Sequence, residues 1–166
     1  MYETEEAEIL DDIKLDSTKK RALKILGSRQ LSAGDMERRL ISKGETEENA
    51  RLAVAWLEKL GAIDDIRYAE SICKHYSAKG YGLARVKDEL FKRGIPKDLW
   101  DEALSAVEEA EMDDAAVEFL RKKLRGSVDK DDIRRATDAL CRRGYSYEDA
   151  RVAVKRYIED ADENPS

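Results

Sequence analysis

One pattern, Leu-x-x-(Lys/Arg)-Gly, occurs three times at a step of 50 positions: Leu40 with Gly44, Leu90 with Gly94, and Leu140 with Gly144. A fixed interval of that size marks tandem structural units. Side chains that recur in every copy therefore belong to the scaffold first. The register extends outward from each stop. Ala33, Met36 and Leu40 align with Leu83, Val86 and Leu90, and with Ile133, Ala136 and Leu140, each set tracing one apolar helix face. A second stripe follows each glycine: Ala50, Ala53, Val54 and Leu57, then Trp100, Ala103, Leu104 and Val107, then Ala150, Ala153, Val154 and Tyr157. The glycine suits a helix C-cap, because it accepts the left-handed conformation there.

A further helix leads each unit, through Leu23, Ile25 and Leu26, through Ile72, Cys73 and Tyr76, and through Val117, Leu120 and Leu124. Starts are legible too. Ser32 precedes Asp35, Thr46 precedes Asn49 and Ser146 precedes Asp149 by three positions, close to a capping box. Pro96 suits a first helical position. These signals predict an all-α chain: a tandem array of three three-helix repeats, about nine helices, elongated and curved. The expected boundaries are a flexible acidic extension over 1–16 (with a short helix as the alternative, since Ile9 and Ile13 stand four apart beside Leu10), repeats over 17–61, 62–110 and 111–158, and a tail over 159–166. Units of about 45 residues are too small to hold a good core alone, so each should lean on its neighbours.

Composition narrows the chemistry. Charged residues make up 41% of the 166 positions and aromatics 7%, which fits amphipathic helices over small layered cores. No apolar run approaches the ~20 residues of a membrane span, and the first sixteen residues are acidic, unlike a signal peptide. A cytoplasmic protein is expected. Cys73 and Cys141 sit among apolar neighbours and read as reduced thiols. The single histidine, His75, has no partner at metal-ligand spacing, and Gly80-Tyr81-Gly82 is a helix–helix turn rather than a nucleotide cradle. No metal, cofactor or catalytic group is expected. A hydrolase built on His75 is the remote enzymatic reading.

The net charge of −6 is segregated. Residues 1–16 carry seven acids and one base, whereas 115–156 carry twelve bases and seven acids. The basic block holds Arg121, Lys122, Lys123, Arg125, Arg134, Arg135, Arg142, Arg143 and Arg151, the candidate partner-binding residues. Arg143 is the weakest of these, since Lys43 and Arg93 also precede a stop glycine, where a cation complements the helix dipole. The last helix of each unit opens on acids (Glu47-Glu48, Asp98, Glu148-Asp149), which argues against a groove-reading recognition helix.

The stretch Leu60-Gly61-Ala62-Ile63-Asp64-Asp65-Ile66-Arg67-Tyr68-Ala69 resembles the hallmark of the RecX regulatory proteins. Gly80, Gly82, Arg85, Glu89, Leu90, Arg93-Gly94 and Ile95 are similar to that family's next motif, and Ala22, Leu23, Leu26, Arg29, Leu40, Lys43 and Gly44 also match. The resemblance covers roughly residues 20–158. It implies a non-enzymatic modulator of RecA, the recombinase that coats single-stranded DNA. Such proteins lie along the filament groove and lower ATP hydrolysis, strand exchange and co-protease activity in recombination, DNA repair and the SOS response. The implied partner is the RecA filament on DNA, with weak direct DNA contact besides, and the chain is expected to be a monomer. The alternative is a helical module that binds nucleic acid without RecA. Asp64, Asp65, Tyr68, Gly80, Arg85 and Gly94 are read as structural: one aspartate capping the next helix rather than a metal pair, and Tyr68 packing where units meet.

Overall fold

The computed structural model describes residues 2–165; Met1 and Ser166, the outermost positions of the segments 1–16 and 159–166, lie outside the described residues. Among these residues there are nine α-helices and no strand. They are α1 (Tyr2–Leu26), α2 (Ala33–Ser42), α3 (Glu47–Lys59), α4 (Asp65–Ala78), α5 (Leu83–Lys92), α6 (Trp100–Leu104, entered through a 3₁₀ turn, Lys97–Leu99), α7 (Glu109–Leu124), α8 (Lys130–Arg142) and α9 (Tyr147–Glu163).

Local chemistry sets most of the boundaries. Ser32, Thr46 and Ser146 accept hydrogen bonds from the N–H groups of Asp35, Asn49 and Asp149 at 3.1, 3.1 and 3.0 Å. Gly44, Gly94 and Gly144 all have positive φ, at +97°, +70° and +97°, as the repeated stop requires.

Two elements differ from the sequence reading. Residues 2–16, expected to be a flexible extension, continue α1 without a break. No glycine or proline interrupts the chain before Gly27, and Glu3 and Glu5 complement the N-terminal dipole. The tail is likewise partly helical, since α9 runs to Glu163. In contrast, α6 is only five residues long. Its N-cap and that of the preceding turn make no side-chain hydrogen bond, and Pro96 is the cap of that turn rather than a first helical residue. The Ser105 hydroxyl then donates to Glu102 O at 2.6 Å, a local bond that competes with helix continuation.

By packing, the chain divides into two compact units, Met1–Tyr68 with Arg93–Ile95, and Ala69–Lys92 with Pro96–Ser166. In the first, Ala22 of α1, Met36 and Leu40 of α2, and Ala50, Ala53, Val54 and Leu57 of α3 form one core with Leu31 and Ile63. Thr18 is fully buried beside it, its hydroxyl 2.6 Å from Glu45 Oε2. In the second, Ala116, Val117, Leu120 and Leu124 of α7 pack with Ala136 and Leu140 of α8, with Tyr145, and with Ala150, Ala153 and Tyr157 of α9.

Each unit contains a close approach at a stop glycine. A Cβ on Gly94 would lie 2.8 Å from Asp35 Oδ1 and 3.1 Å from Ser32 Oγ, at the start of α2. A Cβ on Gly144 would lie 2.6 Å from Arg85 N, and one on Gly82 2.3 Å from Tyr145 N. There the backbone N–H groups of Gly82 and Ala84 donate to Arg143 O and Gly144 O at 2.9 and 3.2 Å. The glycine that ends one middle helix thus serves twice, as a left-handed cap and as the only side chain small enough for the crossing.

Candidate functional site

The basic block falls on three packed helices of the second unit. Arg121, Lys122 and Lys123 occupy the last turn of α7, and Arg125 caps it with φ +51°, the one non-glycine positive φ among the described residues. Arg134, Arg135 and Arg142 lie on α8, Arg143 caps its end, and Arg151 lies on α9.

The structure separates these cations by what already engages them. Arg143 is taken up inside the unit. Its Nε donates to Gly80 O at 2.8 Å and its Nη2 to Lys79 O at 2.7 Å, while its guanidinium stacks 4.0 Å from the Tyr81 ring centroid and 4.8 Å from that of Phe119. It thus caps the carbonyl end of α4 and is half-buried, engaged within its own unit. Arg121 is half-committed: it donates to Asp160 Oδ2 at 2.7 Å and ties α7 to α9. Arg156, with Asp114 at 2.6 Å, makes a second such tie that the sequence reading missed. Lys122, Arg134 and Arg135 face Glu118, Asp131 and Asp132 at 3.7–3.8 Å on exposed surfaces, pairs worth little in water. Lys123, Arg125, Arg142 and Arg151 are exposed and have no ion pair among the described residues.

Between α8 and α9 runs a groove. Ile133, Val154 and Ile158 are partly buried along it, and Lys130, Arg134, Arg151 and Lys155 line it beside Asp138 and Glu159. Tyr147, 66% exposed, stands at one end of the α9 side. An apolar floor with a mainly cationic rim suits an acidic surface better than a small polar substrate. In the first unit, Arg21, Lys24, Arg39 and Lys43 line a smaller hollow with Ile25 and Ser28. These cations also sit at the ends of α1 and α2, where they complement the helix dipoles.

The motif residues have defined places. Asp64 Oδ1 accepts from Arg67 N at 3.2 Å and caps α4. Asp65 instead reaches back to the start of α2, accepting from Ala33 N at 2.8 Å. Burial pushes the Asp65 carboxyl above its ordinary value, against the lowering effect of that hydrogen bond. Tyr68 is buried, and its hydroxyl accepts from Arg93 Nη1 at 3.2 Å. Gly80 ends α4 with φ +79°, and Arg85 pairs with Glu89 at 3.1 Å under the Tyr81 ring. Cys73 is fully buried, which raises its thiol to about 11. His75 packs edge-on to Tyr76 at 5.2 Å. Among the described residues no cluster of His, Cys, Asp and Glu has metal-holding geometry, and no helix is long and apolar enough to cross a membrane.

With this arrangement established, comparison with known proteins places the chain. A family model described as RecX, second three-helix domain, matches residues 64–104. The regulatory protein RecX of Xanthomonas campestris pv. campestris (strain B100) is 32% identical over 142 residues, covering 84% of this chain and 87% of that protein. The same-named protein of Stenotrophomonas maltophilia (strain R551-3) is also 32% identical, covering 84% and 86%. The crystal structure of RecX from Lactobacillus salivarius superposes with a TM-score of 0.80 at 19% identity, covering 89% of this chain and 98% of that one. A second crystal structure of regulatory protein RecX gives 0.76 at 19% identity, covering 89% and 76%. The low identity of these two structures makes them evidence of a common fold, while the sequence relatives carry the assignment: this chain belongs to the RecX family of regulatory proteins.

Proposed function

We propose that this chain binds the RecA filament on DNA in the cytoplasm and restrains it without catalysing a reaction of its own. The observation that carries the reading is the unengaged cationic surface of α7, α8 and α9. Among the described residues Lys123, Arg125, Arg142 and Arg151 meet no acid, so they remain available to a partner. A recombinase filament presents shifted copies of one surface. A chain of similar units gains on such a surface through effective concentration, even where each contact is weak. Arg121, Lys122, Arg134 and Arg135 supplement the surface, their own pairs being exposed or already weak.

The testing experiment is RecA-dependent ATP hydrolysis on single-stranded DNA, titrated with this protein well below one copy per RecA. Inhibition at those ratios supports the reading, and undiminished hydrolysis at equimolar protein sinks it. The same free cations suit phosphates, which favours direct DNA binding as the second reading. That activity requires no recombinase and falls steeply with added salt. Filament binding requires RecA, nucleotide and DNA together.

A further inference from the structure

The first half of α1 is uncovered. Every residue over 2–14 is exposed, and Ile9, Leu10 and Ile13 are 59%, 54% and 60% exposed. These three fall on one side of the helix, and the segment 1–16 around them carries seven acids against one base. A helix of this length is marginal in water without tertiary support, and an apolar stripe on it calls for a cover. The α8–α9 groove has the opposite character: Ile133, Val154 and Ile158 along its floor, with Lys130, Arg134 and Arg151 on its rim.

We propose that the groove between α8 and α9 receives the acidic helical arm 2–16 of a second copy of this chain. The mode is an amphipathic helix laid in a groove, with apolar anchors inward and charges paired at the rim. The arm offers Ile9 and Ile13, four positions apart, to the floor, and Glu5, Glu8 and Asp12 to the rim. Lys130 and Arg151 have no ion pair among the described residues, and Arg134 has only an exposed one at 3.7 Å from Asp131, so the rim is available to them. A nucleic-acid backbone would satisfy the rim and leave the apolar floor unused. Thr18 and Ala22 anchor the second half of α1 in its own core, and no glycine or proline precedes Gly27, so the arm continues α1 as an exposed helix. Such a pair differs from the monomer expected from the sequence. On the reading above, it also covers Arg134 and Arg151 and so withholds them from the filament.

Sedimentation velocity on the full-length protein at low salt, without RecA or DNA, tests this. The wild type should associate with rising concentration, and added salt should reverse it. Ile9→Gln/Ile13→Gln, which damages the arm, and Arg134→Glu/Arg151→Glu, which damages the groove, should each weaken association by about tenfold or more. Both should keep the wild-type unfolding transition, since all four side chains are exposed and lie outside both cores. An equal mixture of the two variants should associate again, as an arrested pair joined by one intact arm in one intact groove. A wild type that stays monomeric at every concentration, or a mixture that stays apart, overturns the proposal. The measurement contains neither RecA nor DNA, so the proposed function stands or falls separately.

Discussion

Asp65 Oδ1 accepts a 2.8 Å hydrogen bond from the backbone N–H of Ala33, the first residue of α2 and 32 positions away in the chain. Ser32 serves the N–H of Asp35, so two of the open donors at that helix start are met, one locally and one from a distance. Asp65→Ala should destabilise the fold by about 1 kcal/mol, a fall of a few degrees in Tm. Asp65→Asn keeps an oxygen acceptor and should recover most of that loss. Because burial raises the folded carboxyl above 3.8, the folded state holds more protons than the unfolded chain between that value and the raised one. This residue's contribution is therefore fullest in acid and falls as pH rises through the folded value. Urea midpoints across the acid range should show that slope for the wild type and a flatter profile for Asp65→Asn. Equal damage from the Ala and Asn variants would refute the account.

Gly82 and Gly144 test the backbone crossing. A methyl group at either meets main-chain atoms within 2.6 Å, which cannot move aside as a flexible side chain would. Each Gly→Ala change should cost at least about 2 kcal/mol by denaturant unfolding. The double variant should cost less than the sum, because the first methyl already parts the same two segments. Gly44 is the control. It has the same φ as Gly144, +97°, but nothing within 4 Å, so Gly44→Ala should cost only the left-handed strain of about 1–2 kcal/mol.

These two sets of residues also mark what could be read from the sequence. Gly44, Gly94, Gly144, Ser32, Thr46 and Ser146 were legible because their partners lie within a few positions, and because the pattern repeats. Asp65 with Ala33, Gly82 with Tyr145, and Arg143 with Gly80 join positions far apart in the chain, and nothing local encodes them. The helix over the acidic segment was hard to read for a related reason. Its charge suggested an unfolded arm, yet its residue types permit the helix that continues into the Thr18 and Ala22 contacts. In the basic block, sequence located the charges but could not tell Arg143, held by carbonyls and rings, from Arg142, which has no ion pair among the described residues.

The two cysteines should report on opening. Cys73 is fully buried with its thiol raised to about 11, whereas Cys141 is half-buried. At about pH 8 a thiol reagent should modify Cys141 first, and Cys73 only at the rate at which its surroundings open. Mass spectrometry of partly labelled protein should find the label at position 141 alone, and rapid early labelling at 73 would contradict the packing. The same measurement gives a stability readout for the glycine variants, in which Cys73 should react sooner.

Arg142 and Arg143 are neighbours with opposite assignments, and exchanging their charge should separate fold from function. Arg143→Ala loses two hydrogen bonds from a charged donor and two ring contacts, so it should lower stability by about 2 kcal/mol or more. Arg142→Glu breaks no ion pair among the described residues and loses only the favourable charge at the end of α8, so it should lower Tm by no more than a few degrees. On the proposed function it is nevertheless Arg142→Glu, especially combined with Arg151→Glu, that should weaken inhibition of RecA-dependent ATP hydrolysis. Arg143→Ala, assayed at a temperature where it is still folded, should inhibit nearly as well as the wild type. The reverse pattern, with inhibition lost at Arg143 and intact at Arg142 and Arg151, would move the contact surface off the exposed cations of α8 and α9 and onto the end of α4.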